Sequence, residues 1–93
     1  MPDTRVVVRN PTGLGSRGAA LFARTAGLFD ADIEIRNLRG GGAADAKSVA
    51  SVLALGCRPG DEIEIRSSGR QAREATAELA HVLEEPLTER STA

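Results

Sequence analysis

Few residues in this chain of 93 could take part in covalent chemistry. There is one histidine, His81, and one cysteine, Cys57, and the most distinctive stretch, Asn10-Pro-Thr-Gly-Leu-Gly-Ser-Arg-Gly-Ala-Ala-Leu-Phe22, holds no His, Cys, Asp or Glu. That stretch follows the apolar run Val6-Val7-Val8 and opens a helix-like pattern, so it sets a glycine-rich turn at a helix N-terminus. The first backbone N–H groups of a helix lack partners and its dipole is positive there, so such a place attracts anions. Arg17 adds a full positive charge. Gly15, Ser16, Arg17 and Gly18 therefore form a loop able to hold a phosphate-like group but poorly equipped to take one covalently. Ser16 reads as the helix N-cap, because a serine phosphate ester is too stable to pass its group on and no base adjoins the hydroxyl. His81 is expected to face solvent, across its helix from Leu79 and near the other end of the domain. Cys57 reads as a half-buried small residue in a turn. Being alone, it offers neither an internal disulfide nor a metal cluster, and no cofactor is implied.

The elements that must position this loop follow from periodicity. Residues 3–9 read as a strand of three valines between Arg5 and Arg9, ending at Asn10-Pro11. Residues 16–28 read as a helix, with Ala19, Phe22, Ala26 and Phe29 on its buried face and Ala20 and Leu21 directed elsewhere. Asp32-Ile-Glu-Ile-Arg36 alternates cleanly and predicts a second strand. The glycines of Arg39–Ala44 suggest a tight turn and then a short edge strand. A short helix is expected over Asp45–Leu55, capped by Asp45 or Ser48, with Val49, Val52 and Leu53 on one side. Arg58-Pro-Gly-Asp61 has turn chemistry and leads into a fourth strand, Glu62–Arg66, after which Ser67-Ser-Gly69 turns again. Residues 70–85 form the last helix, burying Ala72, Ala75, Thr76, Leu79, Val82 and Leu83, and Pro86 stops it. The order βαββαβα, with strands apolar on one face and charged on the other, predicts an α+β fold. In it, a four-stranded antiparallel sheet is covered on one face by three helices.

Composition narrows the function. The chain is one domain's length, and a formal charge of −1 gives no reason to expect nucleic acid or an anionic membrane as partner. Its aromatics are two Phe with no Trp or Tyr, so there is no base-stacking platform. The apolar runs are too short to span a membrane and Met-Pro-Asp-Thr-Arg has no signal-peptide core, so a soluble, intracellular protein is expected.

Gly13-Leu-Gly-Ser-Arg-Gly18 matches the spacing G-x-G-x-x-G of dinucleotide-binding turns, and Glu34 ends the following strand as the acidic residue would. The context argues otherwise: Asn10-Pro-Thr12 separates strand from first glycine, the chain is too short for two mononucleotide halves, and the remaining pattern is antiparallel.

The same segment resembles the active-site region of HPr, the phosphocarrier of the bacterial phosphotransferase system, where the pattern is Gly-[Leu/Ile]-His-[Ala/Thr]-Arg-Pro-Ala. The resemblance runs through the first helix and Asp32–Arg36. It resumes at Ala46-Lys-Ser-Val49, Leu53-Ala-Leu-Gly56, Pro59-Gly-Asp61 and the Ile-Glu-Ile strand, covering nearly the whole chain. It implies an HPr-like open-faced β-sandwich over residues 1–86; residues 87–93, beyond the Pro86 stop, are expected to be a frayed tail. It also implies a non-enzymatic, cytoplasmic, monomeric protein.

Its implied partners are enzyme I, sugar-transporter domains and HPr kinase, or a transcriptional regulator. Its docking patch would be Ala20, Leu21, Val49, Ala50 and Leu53, with Arg17 and Arg24 beside it. The family's phosphoryl-accepting His falls at Gly15 and the following Pro at Gly18. An imidazole nitrogen is nucleophilic near neutral pH and forms a phosphoramidate of high transfer potential, and glycine does neither. Ser48 matches the serine that HPr kinase/phosphorylase modifies in Gram-positive relatives, and equally suits a plain helix cap.

Three readings follow. The first is a regulatory, partner-binding HPr-like protein without the phosphorylatable His. The second is a carrier-pathway homologue with a degenerate or engineered loop. The third is a small nucleotide- or anion-binding module using Gly13–Gly18.

Overall fold

The computed structural model describes residues 3–9, 13–40 and 42–84. Seven elements follow in order: β1 (Asp3–Val7), α1 (Ser16–Gly27), β2 (Asp32–Asn37), β3 (Ala43–Asp45), α2 (Val49–Ala54), β4 (Glu62–Ser68) and α3 (Ala72–Glu84). The strands form one sheet in the order β1-β4-β2-β3, and every neighbouring pair is antiparallel. The adjacent parallel strand pair that a dinucleotide fingerprint requires is therefore not formed by these strands: β4 lies between β1 and β2.

The alternation legible in the two Ile-x-Ile strands sets the layers. Ile33, Ile35, Ile63 and Ile65 join one buried cluster with Phe22 and Ala26 of α1, Val52 of α2, and Ala75, Leu79 and Leu83 of α3. Asp32, Glu34, Glu62 and Arg66 alternate with those isoleucines and are exposed. The fold is thus an α+β open-faced sandwich, as its periodicity predicts.

Several boundaries differ from expectation, each for a local reason. The first strand ends at Val7 rather than 9, because Val8 N–H turns to Asp61 O (2.9 Å) and Arg9 N–H to Leu83 O (2.9 Å). Asp45 belongs to β3, not to the second helix, and its carboxylate accepts from Lys47 N–H (3.0 Å), turning the chain so that α2 starts only at Val49. Ser67 and Ser68 extend β4 instead of turning: they pair with Ile33 and Asp32. The Ser67 hydroxyl is absorbed inside by Ala72 O (3.0 Å) and Thr76 Oγ1 (2.5 Å), so only Gly69, at φ 117°, makes the turn. In α3 the predicted stripe is buried except Val82, which is partly buried. Asn10, Pro11, Thr12, the Pro86 stop, the 86/87 boundary and the 87–93 tail lie outside the described residues.

Candidate functional site

The glycine-rich segment does open a helix. α1 is 12 residues long, and its N-cap is Gly15, at φ −75° and ψ −167°, with no side-chain capping bond. Ser16 is thus the first helical residue rather than the cap. The first intrahelical bond runs from Ala19 N–H to Gly15 O (2.7 Å), which fixes the boundary one residue earlier than a serine cap would. Glycine is an acceptable N-cap, losing only a few tenths of a kcal/mol relative to serine or aspartate, on the order of what an exposed turn tolerates. The first turn carries no acidic residue, and Ser16 and Arg17 are exposed there. Gly18 is buried because the preceding loop closes over it: a Cβ at Gly18 would stand 2.8 Å from Gly13 O.

The loop is held from the other side by the turn before β4. Leu14 N–H donates to Cys57 O (3.0 Å). Gly13, at φ 63°, lies so close that a Cβ would stand 2.5 Å from Cys57 O and 3.1 Å from the Pro59 ring. Cys57 is buried rather than half-buried. Burial, and then the negative charge of Asp61, push its thiol up to about 11, so it stays protonated near neutral pH and offers no nucleophile.

Asp61 is what the sequence reading missed. Only 8 % exposed, it accepts from Arg39 Nε (2.8 Å), Arg39 Nη2 (3.4 Å), Arg58 N–H (2.9 Å) and Asn37 Nδ2 (3.3 Å). The Arg39 hydrogen bond first, then that of Arg58 N–H, outweighs burial and holds the carboxyl at about 2; in return the Arg39 guanidinium is held above its ordinary value. A carboxyl lowered from 3.8 in this way stabilises the fold above its unfolded value, and that contribution disappears as pH falls through about 2. The urea midpoint of the protein should therefore exceed that of Asp61→Asn by a constant margin from neutral pH to about 5, and the margin should close toward pH 2. A margin that persists at pH 2 would contradict the assignment. A lone acid closing Arg58-Pro-Gly-Asp61 was the one visible signal. Nothing in the sequence says that Arg39 and Asn37 reach it.

Ser48, not Asp45, caps α2: its Oγ accepts from Ser51 N–H (3.2 Å). It is partly exposed, next to Lys47, whose Nζ donates to Phe29 O (3.0 Å). Within α2 only Val52 is buried. Val49 (44 % exposed) and Leu53 (42 %) face outward. A helix of six residues presents little more than one side chain to the core. α1 and α2 are neighbours in the fold, and Leu21 (38 %), partly exposed Ala20 and exposed Ala50 add to this apolar surface, with Arg17 and Arg24 exposed on α1.

His81 is exposed, as expected. Leu83 O accepts from Arg9 N–H (2.9 Å), which ties the last turn of α3 to the residues just after β1.

Among the described residues no helix is long and apolar enough to cross a membrane. Residues 3–85 match the family model PTS-HPr, described as "PTS HPr component phosphorylation site". The chain is 33 % identical over 87 residues to HPr-like protein Crh of Bacillus subtilis, covering 94 % of this chain and 100 % of that protein. It is 34 % identical over 85 residues to phosphocarrier protein HPr of Vibrio cholerae, covering 91 % and 98 %. Its fold superposes on the crystal structure of a phosphocarrier protein HPr from Bacillus anthracis with a TM-score of 0.83 at 36 % identity, covering 88 % and 95 % of the two chains. With the loop, the sheet order and the sequence match in agreement, the chain belongs to the HPr family of the phosphotransferase system, whose members carry phosphate or regulate rather than catalyse.

Proposed function

We propose that this chain is a regulatory, partner-binding member of the family that does not relay phosphate through histidine. The observation that carries this reading is the residue at the N-cap of α1. The loop, the helix start and the apolar face beside it are all present, while the position matching the family's phosphoacceptor is Gly15. Without an imidazole no phosphoramidate forms there, and Cys57 is neutral and buried.

The surface left for function is the α1–α2 face: Ala20, Leu21, Val49, Ala50 and Leu53, bordered by Arg17 and Arg24. Gly15, Ser16, Arg17 and Gly18 form its anion-attracting edge. An exposed apolar patch with cationic borders suits transient docking to an acidic surface of a cytoplasmic phosphotransferase-system protein or a transcriptional regulator. The similarity to Crh supports a regulatory rather than a relaying role. The match to a phosphocarrier HPr supports a second reading, a homologue of the carrier pathway whose loop has lost its acceptor.

Ser48 is the modification point of this reading. The residue is partly exposed at the start of α2, next in sequence to the exposed Val49 and Ala50, so a phosphate would place about two negative charges beside a surface otherwise bordered by arginines. Incubation with HPr kinase and ATP is expected to label the protein at Ser48, and Ser48→Ala to abolish the label. Removal of this cap should also cost about 1 kcal/mol in stability. A Ser48→Ala protein that is still labelled would remove the serine from the reading.

A further inference from the structure

The turn between α2 and β4 joins two parts of the proposed surface through one carboxylate. On one side, Asn37 is 3 % exposed and donates from Nδ2 both to Asp61 Oδ2 (3.3 Å) and to the carbonyl of Leu55 (3.5 Å), the C-cap residue of α2. Its Oδ1 meanwhile accepts from Arg39 N–H (3.1 Å), which fixes the orientation of the amide. On the other side, Asp61 accepts from Arg58 N–H (2.9 Å), which sets the backbone of residues 57–61. That backbone supplies the Cys57 carbonyl to Leu14 N–H and leaves no space for a side chain at Gly13. The carboxylate's lone pairs are occupied by Arg39, Arg58 and Asn37 together, so it has little freedom to reorient without breaking one of these links.

We propose that Asp61 is a positioning residue that couples the C-terminal end of α2 to the Gly13–Gly18 loop, so that a change of state in α2 is felt at the start of α1 and the reverse. α2 has six residues and one buried side chain, Val52, so its placement depends on its two ends. Ser48 holds the first end and the Asn37–Leu55 bond the second. A disturbance at Ser48 thus reaches Leu55, then Asn37, Asp61 and the 57–61 backbone, and ends at Leu14. Coupling of this kind is carried by hydrogen bonds that have two arrangements, and its size is typically a few-fold in an equilibrium. Its use as a relay of modification rests on the proposed role of Ser48; the coupling itself does not.

The test is a double-mutant cycle read by native-state amide hydrogen exchange, with no kinase and no partner, so loss of the Ser48 phosphorylation reading would leave it intact. Ser48→Ala loosens the first turn of α2 whatever the biological role of the serine. It is expected to speed exchange of Leu14 N–H by roughly threefold or more beyond any change at Ile65, in the central strand β4. In an Asp61→Asn background the same Ser48→Ala change should leave Leu14 exchange unmoved relative to Ile65. Asn37→Ala cuts the α2 side of the link together with the Arg39 N–H bond, leaves the bonds from Arg39 and Arg58 to Asp61 in place, and should uncouple in the same way. It serves if Asp61→Asn does not fold. The proposal is overturned if Leu14 and Ile65 shift together in every variant, since global stability alone does that. It is equally overturned if the effect of Ser48→Ala on Leu14 is the same with and without the link.

Discussion

The Gly15→His variant is expected to accept acid-labile phosphate from phosphoenolpyruvate and enzyme I, where the unsubstituted protein takes none. The backbone at residue 15 is extended, at φ −75° and ψ −167°, a conformation open to any L-residue, so a side chain there needs no strained dihedral. The position is partly exposed and forms the N-cap of α1. An imidazole on it would be neutral and nucleophilic near its ordinary range. The phosphoryl group it gained would meet the positive end of a 12-residue helix whose first turn carries no acid. The expected change is from background to about one phosphate per chain, released by acid as a phosphoramidate is.

Two outcomes would count against the reading. Label on the unsubstituted protein would refute the absence of relay. No label on a folded Gly15→His protein would show that the loop or the docking face is not competent, and the placement of the acceptor at residue 15 would fall. Restoring the second family residue should not help. A Cβ at residue 18 stands 2.8 Å from the Gly13 carbonyl, a backbone atom that cannot swing aside, so Gly15→His/Gly18→Pro is expected to be less stable than Gly15→His alone by about 1–3 kcal/mol.

The second large effect is expected at Gly13. Gly13→Ala places a methyl group 2.5 Å from Cys57 O, 3.0 Å from Arg58 Cα and 3.1 Å from Pro59 Cδ, at φ 63°. The left-handed conformation alone costs an alanine about 1–2 kcal/mol. The steric contact is with backbone and a ring, so either the loop or the 57–61 turn must move, and the Leu14–Cys57 hydrogen bond is the first to break. Gly56 provides the control. It has nearly the same dihedral, φ 62°, and nothing within 4 Å of where a Cβ would stand, so Gly56→Ala carries the conformational cost without the contact. Urea denaturation of the two variants should show Gly13→Ala the more damaging by at least about 1 kcal/mol. Equal losses would mean that the loop and turn are not tightly apposed.

Much of this protein is set by residue types and local periods. Ile33-x-Ile35 and Ile63-x-Ile65 alternate with charged residues, so two strands and the face each buries follow from the period of two. The spacing of Ala19, Phe22 and Ala26 places the buried face of α1 in the same way. That residue 15 is a glycine where an imidazole would be needed is a fact of composition, and no packing can change it.

Where short segments had to choose between alternatives, the tertiary structure decided. The Ser67-Ser68 pair has turn chemistry, yet pairing with β2 and the hydroxyl of Thr76 draw it into β4. Spacing puts Val49, Val52 and Leu53 on one side of a helix, but which of them is buried depends on how α2 meets the core, and only Val52 is. Gly15 rather than Ser16 caps α1 because the closure of Gly13 over Gly18 sets where the helix starts. The meeting of Asn37, Arg39 and Asp61 spans up to 24 residues of sequence, and the Arg9–Leu83 bond ties the end of α3 to the chain just after β1. A periodic pattern reports only which side of its own element a residue faces. Which distant polar groups then share a turn depends on strand order and register, and these are fixed by the packing of all the elements at once.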